Sequence, residues 1–197
     1  MMRFWTLVMG MMMSTSISAH ARSLSLQGLG PVRLGMTVAE AERALHAKLE
    51  PVDLPFSKEC YVTGRADGRN KALSYVVVDG KIVVMTVFLP GDQVPDPNIL
   101  DDNGIGVGST EDDIIRTYEK VQKELAPDFR QSKEDLAAAA RERAKHGITE
   151  PEPSPEYWIV VEGADHKRAI VFQTRDQKVL NFEIGLKPEI FSSEHCL

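Results

Sequence analysis

The apolar residues of the chain form one short uninterrupted run and, after it, a series of amphipathic segments. The run covers residues 4–13, follows Arg3 and leads through a polar stretch to Ala19-His20-Ala21. A basic start, a short apolar core and an A-x-A end are typical of a secretory signal peptide. The run is shorter than the roughly 20 residues that a membrane-spanning helix needs, and no later segment reaches that length. The pattern predicts a signal peptide over 1–21, cleaved near Ala21, and a periplasmic or secreted mature protein without a membrane span.

Two later segments share a pattern of short strand, glycine turn and helix. In the first, Gly35 and Thr37 precede a helical pattern at 38–49. The second has Gly and Thr 73 positions further on, at 108 and 110, and continues with a helical pattern at 111–125. Glycine allows the sharp turn, and threonine caps a helix together with an acidic residue three positions later. The spacing predicts two capped helices.

Strand patterns follow both helices. In each half a short strand precedes a hairpin, and Asp79-Gly80 is a strong signal for the first hairpin turn. The strands are predicted at 60–63, 73–78 and 81–89, and again at 157–161, 169–174 and 178–186. The fold class is therefore α+β, with two tandem repeats of a helix plus antiparallel strands and with the helices packed on one face of the sheet.

The repeats occupy 22–97 and 98–197, and the second contains an insertion at about 127–156. The insertion begins with an alanine-rich charged helix and ends in a proline-rich stretch. Its helix offers little apolar surface to bury, as expected of a solvated excursion. A long insertion on a rigid scaffold is also a common place for a partner-binding arm or lid, so both interpretations stay open.

Only two cysteines occur, Cys60 and Cys196, one in each half. In an oxidising compartment such a pair is expected to form a disulfide. In the chain-entropy model, a bond that closes so long a loop contributes about 5 kcal/mol. The bond would tie the C-terminal tail to the first half.

The turn Leu34-Gly35-Met36-Thr37 with its helix, and more faintly Val107-Gly108-Ser109-Thr110, resembles known architectures. The duplicated unit is similar to the β-lactamase inhibitory proteins, and its turn is similar to outer-membrane assembly lipoproteins of the SmpA/OmlA type. The overall pattern also resembles uncharacterised exported bacterial proteins. The inhibitors have a disulfide within each half and the lipoproteins have a lipid-anchored cysteine, and this chain has neither arrangement. The resemblance implies an exported α+β scaffold and does not indicate an activity.

Composition and motifs limit the chemistry. The net charge of −6 argues against a nucleic-acid partner. The glycines at 104, 106 and 108 do not complete a dinucleotide-binding fingerprint, because Ser109 stands where the last glycine is needed. A calcium loop starting at Asp101 would place Ile105 at a ligand position, and no two histidines have metal-ligand spacing. We therefore expect no metal and no cofactor, and the sequence gives no positive reason for an enzyme.

These features favour a non-enzymatic module that binds another protein of the cell envelope, of an inhibitor or immunity type. Envelope assembly, and a hydrolase or small-ligand binder with an unrecognised site, are the alternatives. Protein binding predicts an open sheet face with exposed aromatic side chains, whereas a ligand binder predicts a concave pocket with converging polar groups. The candidate partner-binding residues are Tyr61, Tyr75, Tyr157, Trp158 and Phe172.

Overall fold

The computed structural model describes residues 23–52, 57–69, 71–87, 99–127, 138, 141–147, 154–192 and 196. These residues form a mixed α+β fold dominated by two sheets. The elements, in chain order, are β1 (Ser23–Ser25), β2 (Gly28–Leu29), β3 (Val32–Arg33), α1 (Val38–Leu45), β4 (Leu49–Pro51), β5 (Cys60–Arg65), β6 (Leu73–Val78), β7 (Lys81–Val87), β8 (Leu100–Asp101), α2 (Glu111–Thr117), β9 (Gln122–Leu125), β10 (Glu156–Glu162), β11 (Arg168–Arg175) and β12 (Lys178–Leu186).

The larger sheet has eight strands in the order β4-β5-β6-β7-β12-β11-β10-β9. All neighbours are antiparallel, and the two halves of the chain join where β7 pairs with β12. The strand order is therefore mirrored about this seam. Thr86 lies opposite Glu183 at the seam, and its hydroxyl donates to the Glu183 carboxylate at 3.2 Å. A small sheet in the order β3-β2-β1-β8 completes the strand structure.

Both helices begin with the predicted caps. Thr37 and Thr110 each form a complete capping box with the acidic residue three positions later. Each helix start is also bridged to the hairpin of its own half, Thr37 to Lys81 and Thr110 to Lys178. The capping box therefore satisfies free backbone N–H groups at the start of each helix, and the bridge holds that start against the sheet.

The predicted helices at 38–49 and 111–125 are too long. Helix α1 ends at Leu45, where His46 takes a left-handed conformation with φ 49°, and α2 ends at Thr117. The residues that follow form β4 and β9, the two outermost strands of the large sheet. The short strands and both hairpins lie where the pattern predicts them, although the described part of β7 stops at Val87.

The two faces of the large sheet belong to different buried clusters. One face, which includes Tyr75 and Phe172, packs with Ala41 of α1 and Ile114 of α2, so both helices lie on the same side. The opposite face includes Val76, Val84, Val160 and Val171, all at most 3% exposed. A 3-10 turn, Glu189–Phe191, packs on part of it through the buried Ile190. The open sheet face that protein binding predicts is therefore not seen at these positions.

Cys60 and Cys196 form a disulfide, as the sequence predicts, with their Cα atoms 5.1 Å apart. Cys60 begins β5, and Cys196 packs on the second face of the sheet. The bond therefore fastens the C-terminal tail to the first half.

Several predictions lie outside the described residues. They include the signal peptide at 1–21, the boundary between the repeats near residue 97 and most of the insertion at 127–156. Within the insertion, residues 141–145 are helical and Gly147 follows with φ 64°. None of the helices in the described ranges is long and apolar enough to cross a membrane.

Candidate functional site

A groove with a volume of about 910 Å³ lies between the end of α2 and the end of β10. We call it the α2–β10 groove. One wall consists of the last turn of α2 and residues 118–122, and the other consists of Val160–Glu162 with the turn that follows. Because α2 ends early and the chain turns back into the edge strand β9, the two walls stay apart.

The lining of the groove includes four branched apolar residues. Ile115 and Val121 line one wall, and Val160 and Val161 line the other. The Ile115 side chain is 49% exposed, which makes it one of two large hydrophobic residues exposed in the described part of the chain. The exposed isoleucine next to the partly buried Val121 is an apolar surface that a ligand could cover, whereas Val160 and Val161 are buried.

Charged residues form the rim. Glu162 is held between Lys187 and His166: it accepts a hydrogen bond from Lys187 Nζ, and its Oε2 lies 3.1 Å from His166 Nδ1. Lys187 and His166 lower the pKa of the Glu162 carboxyl. Glu119 and Lys120 add one charge of each sign on the opposite wall. The rim therefore has both signs of charge and little net charge.

Tyr118 connects the groove to the small sheet. Its hydroxyl donates to the buried Asp101 carboxylate and accepts from Asn103 Nδ2 at 3.2 Å. Burial, together with the Asp101 carboxylate, raises the pKa of Tyr118. The Asp101 Oδ1 also accepts the backbone N–H groups of Asn103 and Ile105, at 2.9 and 2.8 Å. Both oxygens are engaged by internal donors, so this acidic loop is a structural turn.

A polar cluster at the start of α2 lies near the groove. Glu111, 8% exposed, accepts hydrogen bonds from Lys123 Nζ and from Thr174 Oγ1, both at 2.5 Å. Lys123 Nζ also lies 4.3 Å from the centre of the Tyr157 ring. Burial raises the pKa of Glu111, but the two hydrogen bonds outweigh it, and the pKa is lowered overall. The cluster ties α2 to β9 and β11.

The five aromatic candidates do not form one surface. Tyr75 and Phe172 are at most 1% exposed in the core beneath the helices, and Trp158 is 6% exposed on the opposite face of the sheet. These three are core residues in this fold. Tyr61 and Tyr157 are only partly buried, and their role in partner binding stays a prediction.

The groove residues were not among the sequence candidates. Ile115 lies in the helical pattern and Val121 in the segment wrongly assigned to the same helix, so neither indicated a surface. Within the described ranges, no three His, Cys, Asp or Glu side chains are grouped as metal ligands would be. Comparison with protein-family models, curated proteins and solved structures gives no match. The resemblance to the inhibitory proteins and assembly lipoproteins therefore stays a prediction.

Proposed function

We propose that this protein is an exported, non-enzymatic protein-binding module, and that the α2–β10 groove takes an extended apolar segment of its partner. The observation that carries the proposal is the exposed Ile115, next to the partly buried Val121, in a groove with a charge-balanced rim. An apolar centre with a polar rim is the ordinary anatomy of a protein–protein contact.

The proposal includes a duplication: the two halves are copies of one helix-and-strands unit, at 22–97 and 98–197. The mirrored strand order supports this. The equivalent bridges from Thr37 to Lys81 and from Thr110 to Lys178 support it as well. A duplicated scaffold gives each position a counterpart, which allows the groove to be compared with the same place in the first half.

At the counterpart of the exposed Ile115, the first half has an ion pair. Lys48 Nζ lies 2.9 Å from Glu42 Oε2, and Glu42 Oε1 also accepts the backbone N–H of Leu49. The 73-residue offset between the two helices places Ile115 at the position of Glu42. The strand register places Val121 at the position of Leu49, which is apolar as well. The charged residue that binds Lys48 is thus replaced by an exposed isoleucine.

The opposite wall differs in the same way. Arg65 Nη2 lies 2.5 Å from Asp67 Oδ2 in the first half. The strand register places Val161 at the position of Arg65, and Gly163 at the position of Asp67. Both walls of the groove therefore lack ion pairs that the first half has, which supports a role for the groove that the first half does not share.

The experiment uses a photo-crosslinking amino acid in the full-length protein, expressed in the cells that export it. Gln122 is exposed and lines the groove, and Val52, 51% exposed on the first half, is the matched control position. We expect a specific protein to crosslink at position 122 and not at position 52. The same crosslink is then measured in the variant Ile115→Glu, which introduces the charge that the first half has at Glu42.

A crosslinked partner whose yield falls at least tenfold in Ile115→Glu, with the fold retained, supports the proposal. One stoichiometric soluble partner would indicate an inhibitor or immunity type, and a set of outer-membrane components would indicate envelope assembly. Equal crosslinking at both positions, or crosslinking unaffected by Ile115→Glu, contradicts the proposal. A small molecule that copurifies with the parent and is absent from Ile115→Glu would replace the protein partner with a small ligand.

A further inference from the structure

A second, smaller cavity of about 260 Å³ lies in the first half, between the start of α1 and strands β4 and β5. Val38, Leu49 and Tyr61 form its apolar side, and Ser57 and the exposed Lys58 form its polar side. None of its described lining residues is acidic. The volume is below the roughly 300 Å³ at which pockets for drug-sized ligands begin, so the cavity suits a single side chain or a short acyl chain.

The corresponding place in the second half is filled by the protein itself. Lys123 extends from β9 across the Tyr157 ring to Glu111 at the start of α2. Lys123 pairs with Ile159 on the neighbouring strand, as Pro51 pairs with Thr63. This correspondence rests on the mirrored strand order and not on the function of the α2–β10 groove.

Among the described residues of the first half, no side chain fills this space in the same way. Pro51 stands at the position of Lys123, and Val38 stands at the position of Glu111. The proline ring is too short to reach across the Tyr61 ring, and valine offers no charge to attract a cation. The cavity therefore keeps an aromatic wall and an apolar helix start that no side chain within the described ranges covers.

The polar side of the cavity is arranged for an anion. The Ser57 Oγ accepts the backbone N–H of Cys60 at 2.9 Å, which leaves the hydroxyl proton free to be donated. Lys58, the next residue, is exposed and also lines the cavity. An ammonium and a hydroxyl are both donors, and their natural joint acceptor is a carboxylate.

We propose that this cavity binds an apolar monocarboxylate, with its hydrocarbon part against Val38 and Tyr61 and its carboxylate at Lys58 and Ser57. Two sources share this chemistry: a free medium-chain fatty acid and the C-terminal residue of a peptide. Octanoate represents the first source and N-acetyl-leucine the second. Octylamine and octanol have the same chain as octanoate without the anion.

The test is a titration of the isotope-labelled, oxidised protein, followed by amide and methyl NMR signals. We expect octanoate, N-acetyl-leucine or both to shift the signals of residues 57–63 and Val38 in a saturable way. Octylamine and octanol are expected to bind more weakly than the acid. Saturation by only one of the acids identifies the source, and saturation by both supports the shared chemistry.

Three variants separate binding from folding. Lys58→Met keeps the length of the side chain and removes the charge, and we expect it to weaken acid binding about tenfold. Val38→Glu introduces the carboxylate found in the second half and is expected to abolish binding while keeping a favourable helix start. Lys167→Met, at an exposed lysine of the β10–β11 turn, is the matched control and should bind like the parent. The proposal is wrong if neither acid binds, if octylamine binds as tightly as octanoate, or if Lys58→Met binds like the parent.

Discussion

The pair of Glu111 and Lys123 allows a quantitative test of how the second half is held together. Glu111 is the first residue of α2, and its side chain is 10% exposed, whereas that of Lys123 is 39% exposed. The variant Glu111→Gln keeps the shape and an acceptor for the Thr174 hydroxyl. It removes the charge that Lys123 faces, so the perturbation isolates the ionic contact between α2 and β9.

The expected loss lies between two limits. Breaking a fully buried ion pair costs 3–5 kcal/mol, and an exposed pair contributes about 0–1 kcal/mol. Because Lys123 retains partial contact with water, we expect Glu111→Gln to lower the free energy of unfolding by about 2 kcal/mol. Lys123→Met should cost a similar amount, and the double variant should cost clearly less than the sum of the two.

The assay is urea unfolding of the four proteins at pH 7, with Asp112→Asn as a control for charge in the same helical turn. The exposed Asp112 is expected to contribute about 0.5 kcal/mol. Coupling of at least about 1 kcal/mol between Glu111 and Lys123 supports the ionic contact. If the two single effects add within about 0.5 kcal/mol, the pair does not stabilise the fold and the reasoning is refuted.

The dependence on pH follows from the lowered pKa of Glu111. A carboxyl whose pKa is lower in the folded state stabilises the fold above its unfolded pKa, about 4.3. This contribution is lost as the pH falls through the folded pKa. The difference in stability between the parent and Glu111→Gln should therefore be full at pH 7 and shrink steadily below about pH 4. A difference that grows on acidification contradicts the assignment.

Other contacts give smaller or simpler tests. Replacing Cys60 and Cys196 with serine should lower the free energy of unfolding by up to about 5 kcal/mol, measured against the oxidised parent in urea. Thr37→Ala and Thr110→Ala should each lower the free energy of unfolding by about 1 kcal/mol, because each removes a helix cap. The two losses, measured in urea at pH 7, should be equal, because the two caps have the same geometry. Gly185→Ala should cost about 1–3 kcal/mol in thermal unfolding, because the added Cβ would lie 2.9 Å from Ile190 Cβ.

Local rules predicted the parts of the fold that local chemistry decides. The caps at Thr37 and Thr110 follow from hydrogen bonds within four residues, and both are complete. The hairpin turn at Asp79-Gly80 has positive φ at both residues, as the sequence signal requires. The disulfide was predicted from the presence of two cysteines and from the expected compartment, and not from local geometry.

The helix ends could not be predicted in the same way. The segments after Leu45 and Thr117 are compatible with a helix, but they become β4 and β9 by pairing with β5 and β10. The partner β10 lies beyond the insertion, and β5 follows β4 only after an intervening loop. Tertiary pairing therefore overrides local propensity at both edges of the sheet.

The candidate site was missed for a related reason. In the sequence, Ile115 and Val121 look like ordinary helix residues. In the structure α2 ends at Thr117, so Val121 lies after the helix, and both residues line one wall of the groove. The aromatic residues were the natural candidates, yet Tyr75 and Phe172 are the side chains that fill the core between sheet and helices. A pattern of apolar positions identifies which residues avoid water, but it does not identify which of them the fold leaves exposed.

The two cavities have one physical feature in common. Each lies on one half at a position where the other half has a Glu–Lys pair: Glu42 and Lys48 opposite the α2–β10 groove, and Glu111 and Lys123 opposite the smaller cavity. The Lys48 side chain is 78% exposed, so its pair is expected to contribute less than about 1 kcal/mol. Apolar residues can therefore replace such a pair at little cost to the sheet beneath. The same argument explains why Ile115→Glu should fold as well as the parent while it places a charge in the groove that an apolar partner would have to cover.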